Sequence, residues 1–232
     1  MKEQRSIIAI IPARGGSKGI SRKNIKLLDG KPLIYYTINE AQKSRYIQGF
    51  FVSTEDAEIA KVAKQYGCEV IPRPFELALD DTPSFPVYQQ AIKYLEGTGT
   101  IKPSIVVILQ PTSPLRTVDD IDNAIYEFLR VGCSSVVSVC EVEHPPEWMY
   151  KLDGDRLRLL LKEGNKVTRR QDSLETYRLN GAVYVTTRDI IMKRNGIIGA
   201  DTRAYIMPQE RSIDMDSSVD FALAEMMIKG EI

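Results

Sequence analysis

Hydrophobic residues recur in this chain as short unbroken runs separated by stretches of helical spacing, and that rhythm predicts the fold. Ile7-Ile8-Ala9-Ile10-Ile11 is five apolar residues in a row, four of them β-branched, and reads as a strand buried on both faces. Residues 31–41 follow as a helix with Pro32 near its first turn. A second buried strand covers 49–54, its end opens a helix over 55–66 that Gly67 stops, and 68–71 gives a third strand. This β-α-β-α-β succession implies a mostly parallel open sheet with right-handed crossovers and helices on both faces, an α/β fold. Ser84 is placed to cap a helix over 85–96, and Ile105-Val106-Val107-Ile108-Leu109 is the next strand. Residues 118–131 carry Ile121, Ile125, Phe128 and Leu129 on one helical face. Strand signals return over 134–142 and 177–185, and Ser217 with Asp220 caps a closing helix over 218–229.

One segment breaks the rhythm. His144-Pro145-Pro146 resists helix, and Asp153-Gly154 reads as a hairpin turn. Residues 143–176 are therefore expected to form a small β-rich arm inserted in a single domain spanning 1–232.

Composition narrows the classes. A chain of 232 residues can bury one full core. Its 31 basic and 31 acidic residues cancel, leaving no footprint for nucleic acid or an anionic membrane. No apolar run nears the roughly 20 residues of a membrane span, and no signal-peptide pattern opens the chain, so a cytoplasmic location is expected. Cys68, Cys133 and Cys140 form no CxxC pattern and read as small buried apolar residues. His144 is the only histidine, which excludes multi-histidine metal sites and disfavours a Ser-His-Asp triad.

Chemistry concentrates at two places. After the first strand comes Ala13-Arg14-Gly15-Gly16-Ser17-Lys18-Gly19-Ile20-Ser21-Arg22-Lys23-Asn24, with three glycines within five residues and four cations around them. A glycine-rich turn at the carboxyl end of a parallel strand is where open α/β sheets bind ligands, and amides with cations suit a polyphosphate. A solvated basic loop is the plain alternative. A Walker loop from Gly15 would need Gly, Lys and Ser/Thr at 20–22, where Ile20, Ser21 and Arg22 stand; the dinucleotide fingerprint fails at Ser17. Near the other end, Asp214 and Asp216 would project from one side of an extended backbone. Such a pair suits Mg²⁺ beside a triphosphate. Between these, two prolines in Gln110-Pro111-Thr112-Ser113-Pro114-Leu115-Arg116 fix a turn that would present Gln110 and Arg116 at a strand's carboxyl edge. Arg170 lies in a second cationic cluster, and a guanidinium there could pair with a carboxylate ligand. Arg178, Asn180 and Tyr184 share a strand face unless a bulge at Gly181 turns Tyr184 away.

These segments resemble the acylneuraminate cytidylyltransferases, also called CMP-sialic acid synthetases. The likeness is carried by Ile-Pro-Ala-Arg-Gly-Gly-Ser-Lys-Gly-Ile-x-Arg-Lys-Asn at 11–24, Leu-Gln-Pro-Thr-Ser-Pro-Leu-Arg at 109–116, and Arg-Gln-Asp at 170–172. Tyr-Arg-Leu-Asn-Gly-Ala-Val-Tyr at 177–184 and Ile-Asp-Met-Asp-x-x-x-Asp-Phe at 213–221 complete it. Ser21 stands where the family usually has proline. The resemblance implies CTP held by Ala13, Arg14, Gly15, Ser17, Lys18, Lys23 and Asn24, with Arg73 and Ser84 at the cytosine. It implies a nine-carbon 2-keto sugar acid near Gln110, Arg170, Asn180 and Tyr184, and Mg²⁺ on Asp214 and Asp216. Lys23 and the two aspartates would form the catalytic set, and the arm would complete a homodimer. The product would be a CMP-sugar with pyrophosphate. A CMP-pseudaminic or eight-carbon-acid synthetase, another nucleotide-sugar transferase, or a non-catalytic nucleotide-binding protein are the competing readings.

Overall fold

Ile8, Ala9, Ile10 and Ile11 are wholly buried in strand β1 (Ile7–Pro12) because helices cover both of its faces. The computed structural model describes residues 5–16, 19–161, 167–194 and 196–232. A short pair, β2 (Leu27–Leu28) and β3 (Lys31–Pro32), leads into α1 (Leu33–Lys43), with Pro32 just before its first turn. Then come β4 (Gly49–Thr54), α2 (Ala57–Gln65), β5 (Glu69–Pro72), α3 (Ser84–Gly97), β6 (Ile105–Ile108) and α4 (Val118–Val131). The second half holds β7 (Ser135–Glu141), β8 (Tyr150–Asp153), β9 (Arg156–Leu159), β10 (Tyr177–Thr187), α5 (Arg188–Lys193), β11 (Thr202–Ile206) and α6 (Ser218–Lys229).

Seven strands form one sheet in the order β11-β7-β10-β6-β1-β4-β5. Strand β10 alone among them runs against its neighbours, pairing antiparallel with both β6 and β7. The sheet is therefore mostly parallel, as the β-α rhythm predicts. Ala9 and Ile11 point into a cluster with Ile34, Ile38, Ile59, Ile121 and Phe128, so α1, α2 and α4 lie on that face. Ile8 and Ile10 meet Val87, Tyr88, Ile92 and Ile191 on the other, under α3 and α5. Each fully buried isoleucine is worth about 2–3 kcal/mol over its exposed state, and β1 supplies them to both layers. A third cluster joins Ile20, Leu28, Leu33, Met215 and Phe221 beneath the acidic segment. No helix among the described residues is long and apolar enough to cross a membrane.

Strand β10 carries a bulge. Leu179 pairs with Val139 and Tyr184 with Val137, so five steps on β10 face two on β7. Gly181 sits there at φ +74°, and a Cβ on it would stand 2.5 Å from Gln110 Oε1. Only glycine fits both demands. The bulge sends Asn180 toward Met207, on the α4 side, and Tyr184 into the cluster under α3. The alternation that would have put them on one face is thereby broken.

The helix starts follow side-chain chemistry. Asp56 accepts from the amides of Glu58 and Ile59 to open α2, and Ser217 with Asp220 forms the capping box of α6. Ser84 departs from expectation. Helix α3 begins one residue earlier than its capping role requires, with Pro83 in the cap position and no side-chain cap bond. Its hydroxyl is left for other contacts.

Thr117 and Asp120 box the start of α4, and Asp120, fully buried, also accepts from Arg211 Nε (3.0 Å) and Nη2 (2.8 Å). Burial pushes its carboxyl up, but the Arg211 and Thr117 bonds outweigh this and hold it below the usual range. A depressed carboxyl stabilises the fold above the unfolded pKa of about 4 and loses that contribution as pH falls through the folded value. Asp120→Asn is expected to lower the melting temperature clearly at pH 7, with the gap from the parent closing below about pH 4. Melts followed by circular dichroism across that range test this, and a gap independent of pH would refute it.

Between β7 and β10 the chain leaves the sheet. β8 and β9 form a hairpin around Gly154-Asp155, with Leu152 72% and Leu157 67% exposed. Trp148 Nε1 donates to Val167 O at 2.8 Å, and Ser173 Oγ to Glu147 at 2.8 Å, holding the base of this excursion.

Candidate active site

The first loop is fastened to the starts of neighbouring elements. Ala13 N–H continues the strand by donating to Ser53 O at 3.0 Å. Gly15 N–H donates to Glu55 Oε1 at 2.7 Å, and the buried Asn24 amide holds Arg14 O at 2.9 Å. Arg22, in the left-handed region at φ 55°, binds Asp56 and Glu58 at the start of α2. That bond, the largest influence on Asp56, holds its carboxyl below the usual range. The charge of Arg22 is therefore engaged by carboxylates at the start of α2, Asp56 beside Gly15 among them. Ser17 and Lys18 lie outside the described residues.

Two glycines allow the loop's close packing. A Cβ at Gly15 would meet Asp56 Oδ2 at 2.5 Å, and one at Gly19 would meet Asp216 O at 2.7 Å. The second contact brings the loop onto the acidic segment, 197 positions later in the chain by the numbering. Lys23 Nζ seals the junction with an ion pair to Asp216 Oδ1 at 3.0 Å.

The acidic segment is turned, where the sequence reading took an extended backbone. Asp216 N–H donates to Asp214 O at 3.0 Å, folding the chain tightly around Met215. Met215 is fully buried in the third cluster, Asp214 is half-buried, and Asp216 stays exposed. Met215 N–H donates to Thr112 O at 3.0 Å. Burial pushes the Asp214 carboxyl up, helped by Asp216, while Thr112, Lys23 and Arg178 pull it back in part. Its Oδ1 is buried with no hydrogen-bond partner. An orphaned carboxylate oxygen beside a second carboxylate calls for a proton or a cation. No group of three or more acidic, histidine or cysteine ligands occurs among the described residues. The donor set thus fits a hard divalent ion that takes one or two protein carboxylates and finds its other ligands in phosphate and water.

These parts surround one cleft of about 450 Å³, whose walls include Arg14, Lys23, Arg73, Ser84, Gln110 and Asp216. It opens past the carboxyl ends of β1 and β6, the usual ligand position in an open α/β sheet. Arg14 reaches across its mouth to Leu79 O (3.2 Å) and Asp80 Oδ1 (2.9 Å). Arg73, 7% exposed, is held by Ser53 through Nη2 at 2.6 Å and Nε at 3.2 Å. Burial draws its pKa down and the nearby Glu55 offsets part of that.

Other expected residues sit elsewhere. Arg170 lies in a separate groove beside Pro145 and Ser173, its Nη2 3.6 Å from Glu141 Oε1. Asn180 is 1% exposed and spends its amide on Ser138 Oγ (2.6 Å), Ser212 Oγ (2.9 Å) and Ala182 N–H (3.2 Å). It supports the bulge from behind the cleft. Tyr184 is half-buried, its hydroxyl pushed up in pKa by burial and by Asp214. Arg116 does not face the strand edge as the prolines imply. It is 2% exposed and donates to Gln110 O (3.1 Å), Ala182 O (2.7 Å) and Thr37 Oγ1 (2.6 Å), with burial drawing its pKa to about 10.

Sequence reasoning passed over Thr112 and Tyr88. Thr112 lies inside the motif around Gln110, so its strand-end position was the available signal. Tyr88 is one helical turn after Ser84 and 4% exposed, and it lines the cleft with Ser84 and Gln110. Burial, the largest influence, pushes its hydroxyl up to about 12. The (i, i+4) spacing from Ser84 placed both on one helix face.

Comparison with known proteins agrees with this geometry. A family model described as Cytidylyltransferase matches residues 8–227. The CMP-N,N'-diacetyllegionaminic acid synthase of Legionella pneumophila is 34% identical over 96% of this chain and 96% of its own length. The N-acylneuraminate cytidylyltransferase of Escherichia coli O18:K1:H7 is also 34% identical, over 94% of this chain but 51% of that protein, so this chain spans about half of it. Among solved structures, a CMP:2-keto-3-deoxy-manno-octonic acid synthetase complexed with CTP superposes with a TM-score of 0.70, covering 98% of this chain and 100% of that one. At 14% identity, that likeness shows the shared fold.

Proposed function

The chain belongs to the cytidylyltransferase family, and we propose that it joins CTP to a nine-carbon 2-keto sugar acid, giving the CMP-sugar and pyrophosphate. The observation that carries this reading is the 3.0 Å pair between Lys23 and Asp216. It puts the cationic glycine loop and the acidic segment on one nucleotide-sized cleft. The anomeric hydroxyl of the acid attacks the α-phosphorus in line, the bond to the bridging oxygen breaks, and pyrophosphate leaves. Catalysis of this kind depends on positioning and charge neutralisation.

Arg14 and Lys23 neutralise the triphosphate and the leaving pyrophosphate, with Lys18 of the same loop. Asn24 meets the ribose, and Arg73 with Ser84 takes the cytosine. Asp214 and Asp216 hold Mg²⁺, which when bound supplies charge neutralisation at the α-phosphate and lowers the pKa of a hydroxyl beside it. Gln110 meets the sugar acid. Arg170, outside the cleft of its own chain, binds the acid's carboxylate in the site of a second subunit. Exposed Trp148, Met149, Leu152 and Leu157 supply an apolar arm surface for such a homodimer. The enzyme works in the cytoplasm.

The test offers each of the four nucleoside triphosphates, with Mg²⁺ and N-acetylneuraminic, legionaminic, pseudaminic or the eight-carbon 2-keto acid, and detects pyrophosphate. Release is expected with CTP and at least one nine-carbon acid, at a rate at least about tenfold above the other triphosphates. Release with the eight-carbon acid alone moves the assignment to that class, and no release with any acid refutes the reading.

A further inference from the structure

Asp214 is pinned on both sides. One residue after it, Met215 N–H donates to Thr112 O at 3.0 Å. Two residues before it, the hydroxyl of the fully buried Ser212 accepts from Asn180 Nδ2 at 2.9 Å and donates to Pro208 O at 2.8 Å. The main-chain pin alone fixes where the segment lies and leaves it free to swing about that point. The second pin fixes its direction.

The other end of the Asn180 side chain holds the β10 bulge. Its Oδ1 accepts from Ala182 N–H at 3.2 Å and from Ser138 Oγ at 2.6 Å, and its main-chain oxygen accepts from Ser113 Oγ at 3.2 Å. The bulge in turn crowds Gln110, whose side-chain oxygen would stand 2.5 Å from a Cβ on Gly181. A carboxamide suits this place because it accepts at one end and donates at the other. Asn180, Ser113, Ser138 and Ser212 are each 1% exposed or less, and a buried network whose members are all bonded holds one arrangement.

We propose that Asn180 is a positioning residue: from behind the cleft it ties the acidic segment, through Ser212, to the bulge against which Gln110 is seated, and so sets the separation of Asp214 and Gln110. This rests on the reading of Asp214 as a metal ligand and Gln110 as a sugar-acid contact. It adds that one buried carboxamide keeps the two in register for in-line attack.

Ser212→Ala removes the link by one hydroxyl and leaves Asn180 in place. Its kcat is expected to fall at least about tenfold, with the KM for CTP changed by less than about threefold, because misalignment of bound reactants costs rate and not nucleotide affinity. Ser135→Ala is the control for a lost buried hydroxyl. Ser135 is equally buried at the amino end of β7, away from the cleft, where it donates to Ile197 O at 2.8 Å and shares a hydrogen bond with Thr202 Oγ1 at 2.8 Å. At a comparable loss of melting temperature its kcat is expected to stay within about twofold of the parent. A Ser212→Ala kcat within about twofold of the parent, or an equal fall in Ser135→Ala, overturns the proposal. A second measurement needs neither substrate nor metal: amide hydrogen exchange in the ligand-free protein. In Ser212→Ala both Met215 N–H and Ala182 N–H are expected to exchange about tenfold faster, beyond any change in the β1 amides that follow global stability. Acceleration confined to one of the two, or absent from both, overturns the role of Asn180 even if every nucleotide and acid fails with the parent. That failure would sink the functional reading separately.

Discussion

Asp214→Ala is expected to lower CTP- and sugar-acid-dependent pyrophosphate release by about three orders of magnitude or more, while leaving the protein folded. The two halves of this expectation have one cause. Asp214 is half-buried with Oδ1 unpartnered, and burial raises its carboxyl pKa. A carboxyl whose folded pKa is raised weakens the fold at neutral pH, and that penalty fades as pH falls through the folded value and is gone below the unfolded one of about 4. Alanine removes the strained charge, so the melting temperature in buffer free of divalent ions should hold or rise at pH 7, and the difference should shrink toward pH 4. The same change removes an oxygen proposed to hold the divalent ion. A pyrophosphate assay beside paired melts measures both. Turnover within about tenfold of the parent would take Asp214 out of the reaction.

Arg116→Ala is expected to destabilise the protein by about 3–5 kcal/mol, among the largest losses available to a single substitution here. The guanidinium is buried and spans three elements, meeting the turn after β6 at Gln110, the β10 bulge at Ala182 and α1 at Thr37. Alanine takes the donor from Ala182 O and from the Thr37 hydroxyl, leaves Gln110 O with Thr37 and the Ser113 amide, and opens a void; each buried group left without a partner costs about 1–3 kcal/mol. Lysine keeps the charge but brings one ammonium to a place shaped for a planar fork, so Arg116→Lys should recover less than half of the loss. Urea unfolding with an unchanged slope is the measurement. A loss under about 1 kcal/mol would mean that Arg116 is dispensable to the fold.

The sheet was legible because β1 and β6 are apolar on every residue, which a strand covered on both sides demands. The direction of β10 was not, since hydrophobicity carries no sense of direction along the chain. Strand β11 and helix α5 went unread. Thr202-Arg203-Ala204-Tyr205-Ile206 lies at the sheet edge with Arg203, Ala204 and Ile206 exposed, so no apolar run marks it. In the cleft, residue types and spacing revealed the glycine loop and the aspartates, but tertiary packing set their shape. Met215 is drawn into the cluster with Phe221, and this bends a segment read as extended backbone. Arg116 read as a surface cation because its partner Ala182 is 66 residues away. Ser84 read as a cap because its residue type favours that place, yet Pro83 already occupies it.

Two cations of the cleft wall are already paired with carboxylates, Arg14 with Asp80 and Lys23 with Asp216. In the proposed reaction, polyphosphate entry is then an exchange of partners, in which an anion from solution takes the place of a carboxylate already present. The net attraction felt by an incoming nucleotide is smaller than a tally of positive side chains would give, and so is its sensitivity to ionic strength. What the internal carboxylates withhold in affinity they return in selectivity, because a lone phosphate can replace one of them while a triphosphate can reach several at once.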